Sequence, residues 1–327
     1  MDKEKLVAGI ISGLSDKQYF KIRQKLNTNK MQWCIGECDL QMAFKGKLDR
    51  GINHFKTVAR MREGIYAYEY FNICFLNNVI CFILQSVAER KVPRIEILNS
   101  AGDNIWEQFF VQPYADFSVE LCPSIEVVCD QAYVFPNWRD VFSSDRVSVW
   151  GAIFQKYIIL NEKTKQYVED EVKNILGKQK VLGVLLRGTD YTACKPKGHP
   201  VQPEIDDVIR IIKEKVDKLG CDKIYLATED SKIERQINEH FPGKVLINQR
   251  VYYDNEFEQG NYNWIKDVHF DRANDDYLKG LEYLSSLIII SKCDALVAGN
   301  CGGTQMAVFL NNHRYEEKYI FDLGLYS

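Results

Sequence analysis

Arg187, Thr189 and Asp190 stand in the run Gly183-Val-Leu-Leu-Arg-Gly-Thr-Asp-Tyr191, straight after a continuous apolar stretch. An arginine at the carboxyl end of a buried strand is poorly placed for packing, whereas its planar fork matches phosphate oxygens. Thr189 and Asp190 can hold that fork or meet a ligand hydroxyl; equally, an Arg187–Asp190 ion pair can simply close the turn. A second run, Tyr225-Leu-Ala-Thr-Glu-Asp230, places Glu229 and Asp230 after another apolar stretch. These two can bind ribose or sugar hydroxyls, or Asp230 can be a helix N-cap. A third run, Gly299-Asn-Cys-Gly-Gly303, leads into Thr304 and an apolar helix. Gly302 and Gly303 let backbone N–H groups approach a phosphate, and the helix N-terminus behind them favours anions; the plain alternative is a tight turn. The loop Lys195-Pro-Lys-Gly-His-Pro200 adds Lys195 and Lys197, which can reach a diphosphate or stay solvated. It also adds His199, which can position the loop or move a proton.

These runs need strands behind them. Lys180–Arg187 is a continuous apolar stretch ending in a charge, as a buried parallel strand would be. Pro203–Leu219 has helical spacing, with Pro at its start and Gly220 just beyond its end. Strands are expected at Lys223–Thr228, Lys244–Ile247, Cys293–Ala298 and Tyr319–Asp322. Helices are expected from Asp230 to His240, Asp276 to Ser291 and Thr304 to Leu310. Such alternation predicts a doubly wound α/β domain, whose ligands sit beyond the carboxyl ends of the strands. The amino-terminal half is less regular. A helix is expected at Asn77–Arg90 and strands at Pro93–Leu98, Ile125–Cys129 and Tyr133–Phe135. A polar, lysine-rich helix over Asn161–Lys178 reads as a link between domains 1–178 and 179–327; 327 residues suit two domains at about 150 residues each.

Composition excludes several classes. Lys+Arg 42 against Asp+Glu 45 leaves a net charge of −3, with no basic field for nucleic acid. Aromatics at 12 % suit flat or sugar-like ligands, but an aromatic-rich core is the better default. The most apolar stretch, Phe71–Ala88, carries Asn72, Asn77, Asn78 and Gln85 and so reads as a buried helix, not a membrane span. The first twenty residues show no cleavage pattern and read as a short amphipathic helix. Ten scattered cysteines without Cys-x-x-Cys point to reduced thiols in a cytoplasmic protein; Cys34 and Cys38 lack the partners of a zinc set. The chain has no phosphate-binding loop with Gly-Lys-Ser/Thr, no Gly-x-Gly-x-x-Gly after a strand, no His-Glu-x-x-His and no Gly-x-Ser-x-Gly. It has no Asp-x-Asp pair, and its His residues (54, 199, 240, 269, 313) are not at metal-ligand spacing, so no metal is expected.

Taken in order over residues 181–310, the three runs resemble the α1,6-fucosyltransferases, meaning the N-glycan core and rhizobial Nod-factor enzymes, and more distantly the wider fucosyltransferase superfamily. That family's first motif is a strand ending His-x-Arg-Arg-x-Asp, then a loop and His-Pro. Here it reads Leu185-Leu-Arg187-Gly-Thr-Asp190, with His199-Pro200. The family's Ala-Thr-Asp-Asp block appears as Ala227-Thr-Glu-Asp230. Its apolar helix, strand and turn appear as Leu278–Ala298 and Gly299–Gly303. The chain departs from the family at Leu185 (for the His that helps hold guanine), Gly188 (for the second Arg), Tyr191 (for Lys), Lys195 (where the animal enzyme has a carboxylate) and Ser286 (for a guanine-binding Asp).

The resemblance implies two Rossmann-like domains facing a cleft, the GT-B type, and a metal-independent inverting transfer of fucose from GDP-fucose to a glycan hydroxyl. It places donor contacts at Arg187, Thr189, Lys195, His199, Asp230, Asn300, Gly302, Gly303 and Thr304. Arg187, Asp190 and Glu229 become the residues expected to act in the reaction, the last two as candidates for the base by position only. The expected partners are a nucleotide-sugar donor and a glycan acceptor, without a further cofactor, in cell-surface polysaccharide synthesis. Another NDP-sugar donor, or a non-catalytic sugar- or nucleotide-binding protein on the same fold, are the alternatives.

Overall fold

The computed structural model describes residues 13–25, 32–62, 68–128, 141–260, 262 and 264–327. The expected strand at 133–135, Cys129, the side chain of Cys34 and most of the expected amino-terminal helix lie outside them. The chain divides into two compact units, Met1–Asn161 and Glu162–Ser327. Among the described residues no helix is long and apolar enough to cross a membrane.

The first unit is built on a three-stranded parallel sheet in the order β2-β1-β3, with β1 Thr57–Met61, β2 Lys91–Ile95 and β3 Ser124–Val128. The Ile73–Ala88 helix packs on β2. Asn72 caps it by accepting from Phe75 N at 3.0 Å, and Phe75, Leu76, Val79, Ile80, Ile83 and Val87 are all buried. Of the amides that argued against a membrane span, Asn78 donates to the Tyr68 hydroxyl and Gln85 to Glu89, while Asn77 Oδ1 is buried without a hydrogen-bond partner. Much of the aromatic content is core, with Trp106 stacked 4.6 Å from Phe110 and Phe71 against Phe109.

The second unit carries a five-stranded parallel sheet in the order β6-β5-β4-β7-β8. Its strands are β4 Val181–Leu185, β5 Lys223–Ala227, β6 Val245–Leu246, β7 Ala295–Gly299 and β8 Glu317–Phe321. Alternation along β4 explains why the strand is apolar on both faces. Leu182 and Val184 join Val208, Ile212 and Val216 of the amphipathic Ile205–Leu219 helix in one core. Gly183 faces the other way, against Ile290 of the Asp275–Ser291 helix. The Glu162–Leu176 helix packs on that same Asp275–Ser291 helix. It is therefore part of the second unit rather than a free link, and compactness divides the chain at Asn161, upstream of residue 178.

The strand order decides where a ligand can sit. From β4 the chain goes to β5 on one side and later returns to β7 on the other, so the order reverses between β4 and β7. A crevice outside the carboxyl ends is expected at such a reversal.

Candidate functional site

The turn after β4 is held by the end of β5. Glu229 Oε1 accepts from Gly188 N at 2.9 Å and from Thr189 Oγ1 at 3.0 Å. Thr189 itself sits at φ +31°, a conformation that a non-glycine residue keeps only when its surroundings impose it. Arg187 Nη2 donates to Asp190 Oδ1 at 2.6 Å, and its Nε lies 3.5 Å from Glu229 Oε1. The Nε is buried and makes no hydrogen bond, so the fork has donor capacity left over. Burial alone would pull the Arg187 pKa down; the nearby Glu229 and Asp190 outweigh it and push it up, which keeps the guanidinium charged. Its carbon lies 5.1 Å from the Tyr191 ring centre. Both readings of this turn are thus present together: the Arg187–Asp190 ion pair exists, and an unsatisfied donor remains.

Asp230 is an N-cap. Its Oδ1 accepts from Lys232 N at 2.8 Å and Ile233 N at 3.3 Å at the start of the Ser231–His240 helix. The same carboxylate explains Gly188. A Cβ added there would lie 2.3 Å from Asp230 Oδ2 and 2.6 Å from its Cβ. A second arginine at this position has no room.

At the end of β7, Thr304 Oγ1 donates to Gly299 O at 2.6 Å and lies 3.4 Å from Cys301 Sγ. The Gly302–Asn311 helix starts without a side-chain cap from Cys301, which leaves its first N–H groups without that acceptor. Gly303 packs against Leu287 and Tyr283. Asn300 is buried with Oδ1 unpartnered. Gln202, which no motif pointed to, donates from Nε2 to Asn300 O at 2.8 Å and to Pro200 O at 3.1 Å, while its Oε1 is also unpartnered. A glutamine one residue before a helix-opening Pro203 carries no sequence signal for this role.

The Lys195–Pro200 loop is pinned by the chain's last residues: Gly198 N donates to Tyr326 O and Tyr326 N to His199 O, each at 2.9 Å. His199 lies between Tyr191, at 5.7 Å, and Trp264, at 6.0 Å. Lys195 and Lys197 are exposed. Ser286 is buried away from solvent, its hydroxyl 2.7 Å from Glu282 O and 3.1 Å from Asn248 Oδ1, while Tyr225 donates to Asn248. Arg250, which the sequence reading passed over, lies 3.4 Å from the Ser286 hydroxyl with its Nε buried and unpartnered.

Among the described residues one group brings three metal-ligating side chains together: His269, Asp275 and Asp276, with ligand atoms within 4.8 Å of one another. Cations already occupy its surroundings. Lys279 Nζ lies 3.3 Å from Asp275 and 3.0 Å from Asp276, and Arg272 donates to Asp275 at 2.7 Å. The group's two aspartates are thus engaged in a salt-bridge network at the start of the Asp275–Ser291 helix.

No protein-family model matches the chain, and no curated protein matches it. Among solved structures it is similar to NodZ alpha-1,6-fucosyltransferase soaked with GDP-fucose, at 12 % identity over 82 % of this chain and 95 % of that one, TM-score 0.45. Fucosyltransferase NodZ from Bradyrhizobium overlaps at 12 % identity over 77 % and 91 %, TM-score 0.41. POFUT1 in complex with GDP overlaps at 16 % identity over 63 % of this chain and 56 % of that one, TM-score 0.39, so this chain spans little more than half of it. Overlap at this level transfers no residue role; the parallel α/β architecture described above is read from this chain's own strands.

Proposed function

We propose that the chain is a glycosyltransferase that takes a sugar from a nucleotide-sugar donor, with GDP-fucose the first donor to test. The observation that carries this reading is Arg187: a charged guanidinium with an unsatisfied buried Nε, standing where the strand order reverses and beside the uncapped start of the Gly302–Asn311 helix. Both features favour an anion at one place. The choice of fucose rests on the order of the three sequence runs.

In this mechanism an acceptor hydroxyl attacks the anomeric carbon, the bond from that carbon to the diphosphate oxygen breaks, and its electron pair stays on the phosphate. Arg187 and the helix N–H groups lower the barrier by meeting that developing charge. Asp190 takes the hydroxyl proton. Its Oδ1 is engaged by Arg187, and its Oδ2 has only a long contact, 3.5 Å, from Ile265 N. Glu229 positions the turn through Gly188 and Thr189. Displacement is inverting and needs no metal, in keeping with the absent Asp-x-Asp pair.

Melting curves with GDP, UDP and TDP, followed by assays of GDP release from GDP-fucose with and without excess EDTA, test this. GDP should raise Tm and turnover should survive EDTA. A response to UDP or TDP alone overturns fucose; a strict need for Mg²⁺ or Mn²⁺ overturns the mechanism. The role of Glu229 and Asp230 as clamp and cap favours a second reading, a non-catalytic nucleotide-sugar binder on the same fold. Stabilisation by GDP-fucose with no GDP release from it in the presence of any acceptor would establish it.

A further inference from the structure

Two buried amide oxygens at the end of β7 are left without donors: Asn300 Oδ1 and Gln202 Oε1, on residues each 6 % exposed. An unmet buried acceptor costs on the order of 1–3 kcal/mol, and most such groups in folded proteins are paired. The position of the Gln202 oxygen is built into the fold. Its Nε2 is tied to two carbonyls, of Pro200 and Asn300, which turns the oxygen toward Gly299. A Cβ on Gly299 would come within 2.3 Å of it, so the strand ends in glycine where this oxygen lies. The neighbouring strand end is the Arg187 turn, since β4 and β7 pair through Leu185 and Ala298.

The two ends therefore make opposite demands. Arg187 and the helix N–H groups call for acceptor oxygens carrying negative charge. Asn300 Oδ1 and Gln202 Oε1 call for hydrogen donors and repel an anion. A phosphate satisfies the first set and not the second; a sugar hydroxyl satisfies the second. Building on the nucleotide-sugar reading above, we infer that Gln202 and Asn300 accept hydrogen bonds from hydroxyl groups of the donor's sugar and take no part in holding its diphosphate. The pair is thus a specificity element for the sugar, separate from the diphosphate grip.

Calorimetric titration of the full chain with GDP, GDP-fucose and GDP-mannose, and with UDP and UDP-glucose, tests this. With whichever nucleotide binds, the attached sugar should tighten Kd over the bare diphosphate by roughly tenfold, one or two net hydrogen bonds. Asn300→Ala and Gln202→Met should each abolish most of that gain and leave the bare diphosphate within about twofold. Asn300 decides the matter if Gln202→Met fails to fold, because the Asn300 oxygen holds no protein group. A sugar gain that survives in Asn300→Ala overturns the inference. So does an equal loss for diphosphate and nucleotide sugar, which marks a structural role. Diphosphate binding without any gain from the sugar overturns this inference alone; no nucleotide binding of any kind overturns the transferase reading and this inference with it.

Discussion

Arg94 and Arg187 both lie near the carboxyl end of a parallel strand, one in each unit, and the molecule uses them in opposite ways. Arg94 donates to four backbone carbonyls: Pro93 at 2.9 Å, Pro113 at 2.7 Å, Tyr114 at 3.2 Å and Phe117 at 3.0 Å. Burial without a carboxylate partner pulls its pKa down. Gln112 closes the same strand end by accepting from Ile95 N and donating to Ile95 O. Arg187 instead faces two carboxylates, and its Nε, 3.5 Å from Glu229 Oε1, makes no hydrogen bond. A strand-end arginine with its donors satisfied by carbonyls staples a loop; one with a donor to spare and its charge reinforced can hold an anion. The residue type is the same, and the surroundings decide.

The comparison can be broken most directly at Arg187. Arg187→Ala should lower kcat/KM of the folded fraction by two to three orders of magnitude, roughly the scale of one lost oxyanion-type donor, with Arg187→Lys falling between. Because the arginine is the partner of buried Asp190 and Glu229, the alanine variant should also lose on the order of 3–5 kcal/mol of stability. Turnover per folded molecule, read together with denaturant midpoints, separates the two effects; near-normal turnover would make Arg187 the same kind of residue as Arg94. For Arg94→Ala the expectation is inverted: about 3 kcal/mol of lost stability from stranded carbonyls, with turnover of the folded fraction unchanged.

Buried charge in the first unit should announce itself through stability rather than ligand binding. Asp39, bonded to Tyr19 and Arg23, is pushed up to about 6, first by burial and against the pull of Arg23. A carboxyl raised in the native state holds its proton more tightly there than in the unfolded chain. Its contribution is therefore complete below pH 4 and is lost as pH rises through 6, a decline of roughly 3 kcal/mol. Urea midpoints between pH 4 and 7 should fall by that amount in the parent protein and stay flatter in Asp39→Asn. A flat profile in the parent removes Asp39 as the titrating group.

The smallest effect belongs to Asp230. As an N-cap it should cost about 1 kcal/mol on replacement by Ala, with nucleotide Kd unchanged. A Kd loss well beyond the stability loss would return Asp230 to the ligand.

Much of the second unit was legible. Its strands and helices follow apolar runs and capping residues, and their order places the Arg187, Glu229 and Asn300 runs at one sheet edge. The first unit was harder to read because its central strand, Thr57–Met61, is five residues long and carries Arg60, so no run marks it. The Ser144–Tyr157 helix escaped for a related reason, its apolar residues being interrupted by serines and charges.

By itself the sequence determined the alternation, the glycines and caps that end each element, and the charge types gathered at the strand ends, because these are local properties of spacing and side-chain chemistry. Tertiary structure alone decided which groups are already satisfied. Glu229 holds a turn 40 residues upstream at Thr189, Asp230 fills the space a side chain on Gly188 would need, and Gln202 reaches Asn300 across 98 positions. Whether a polar atom is paired depends on neighbours distant in sequence, and that pairing is what separates a staple from a site.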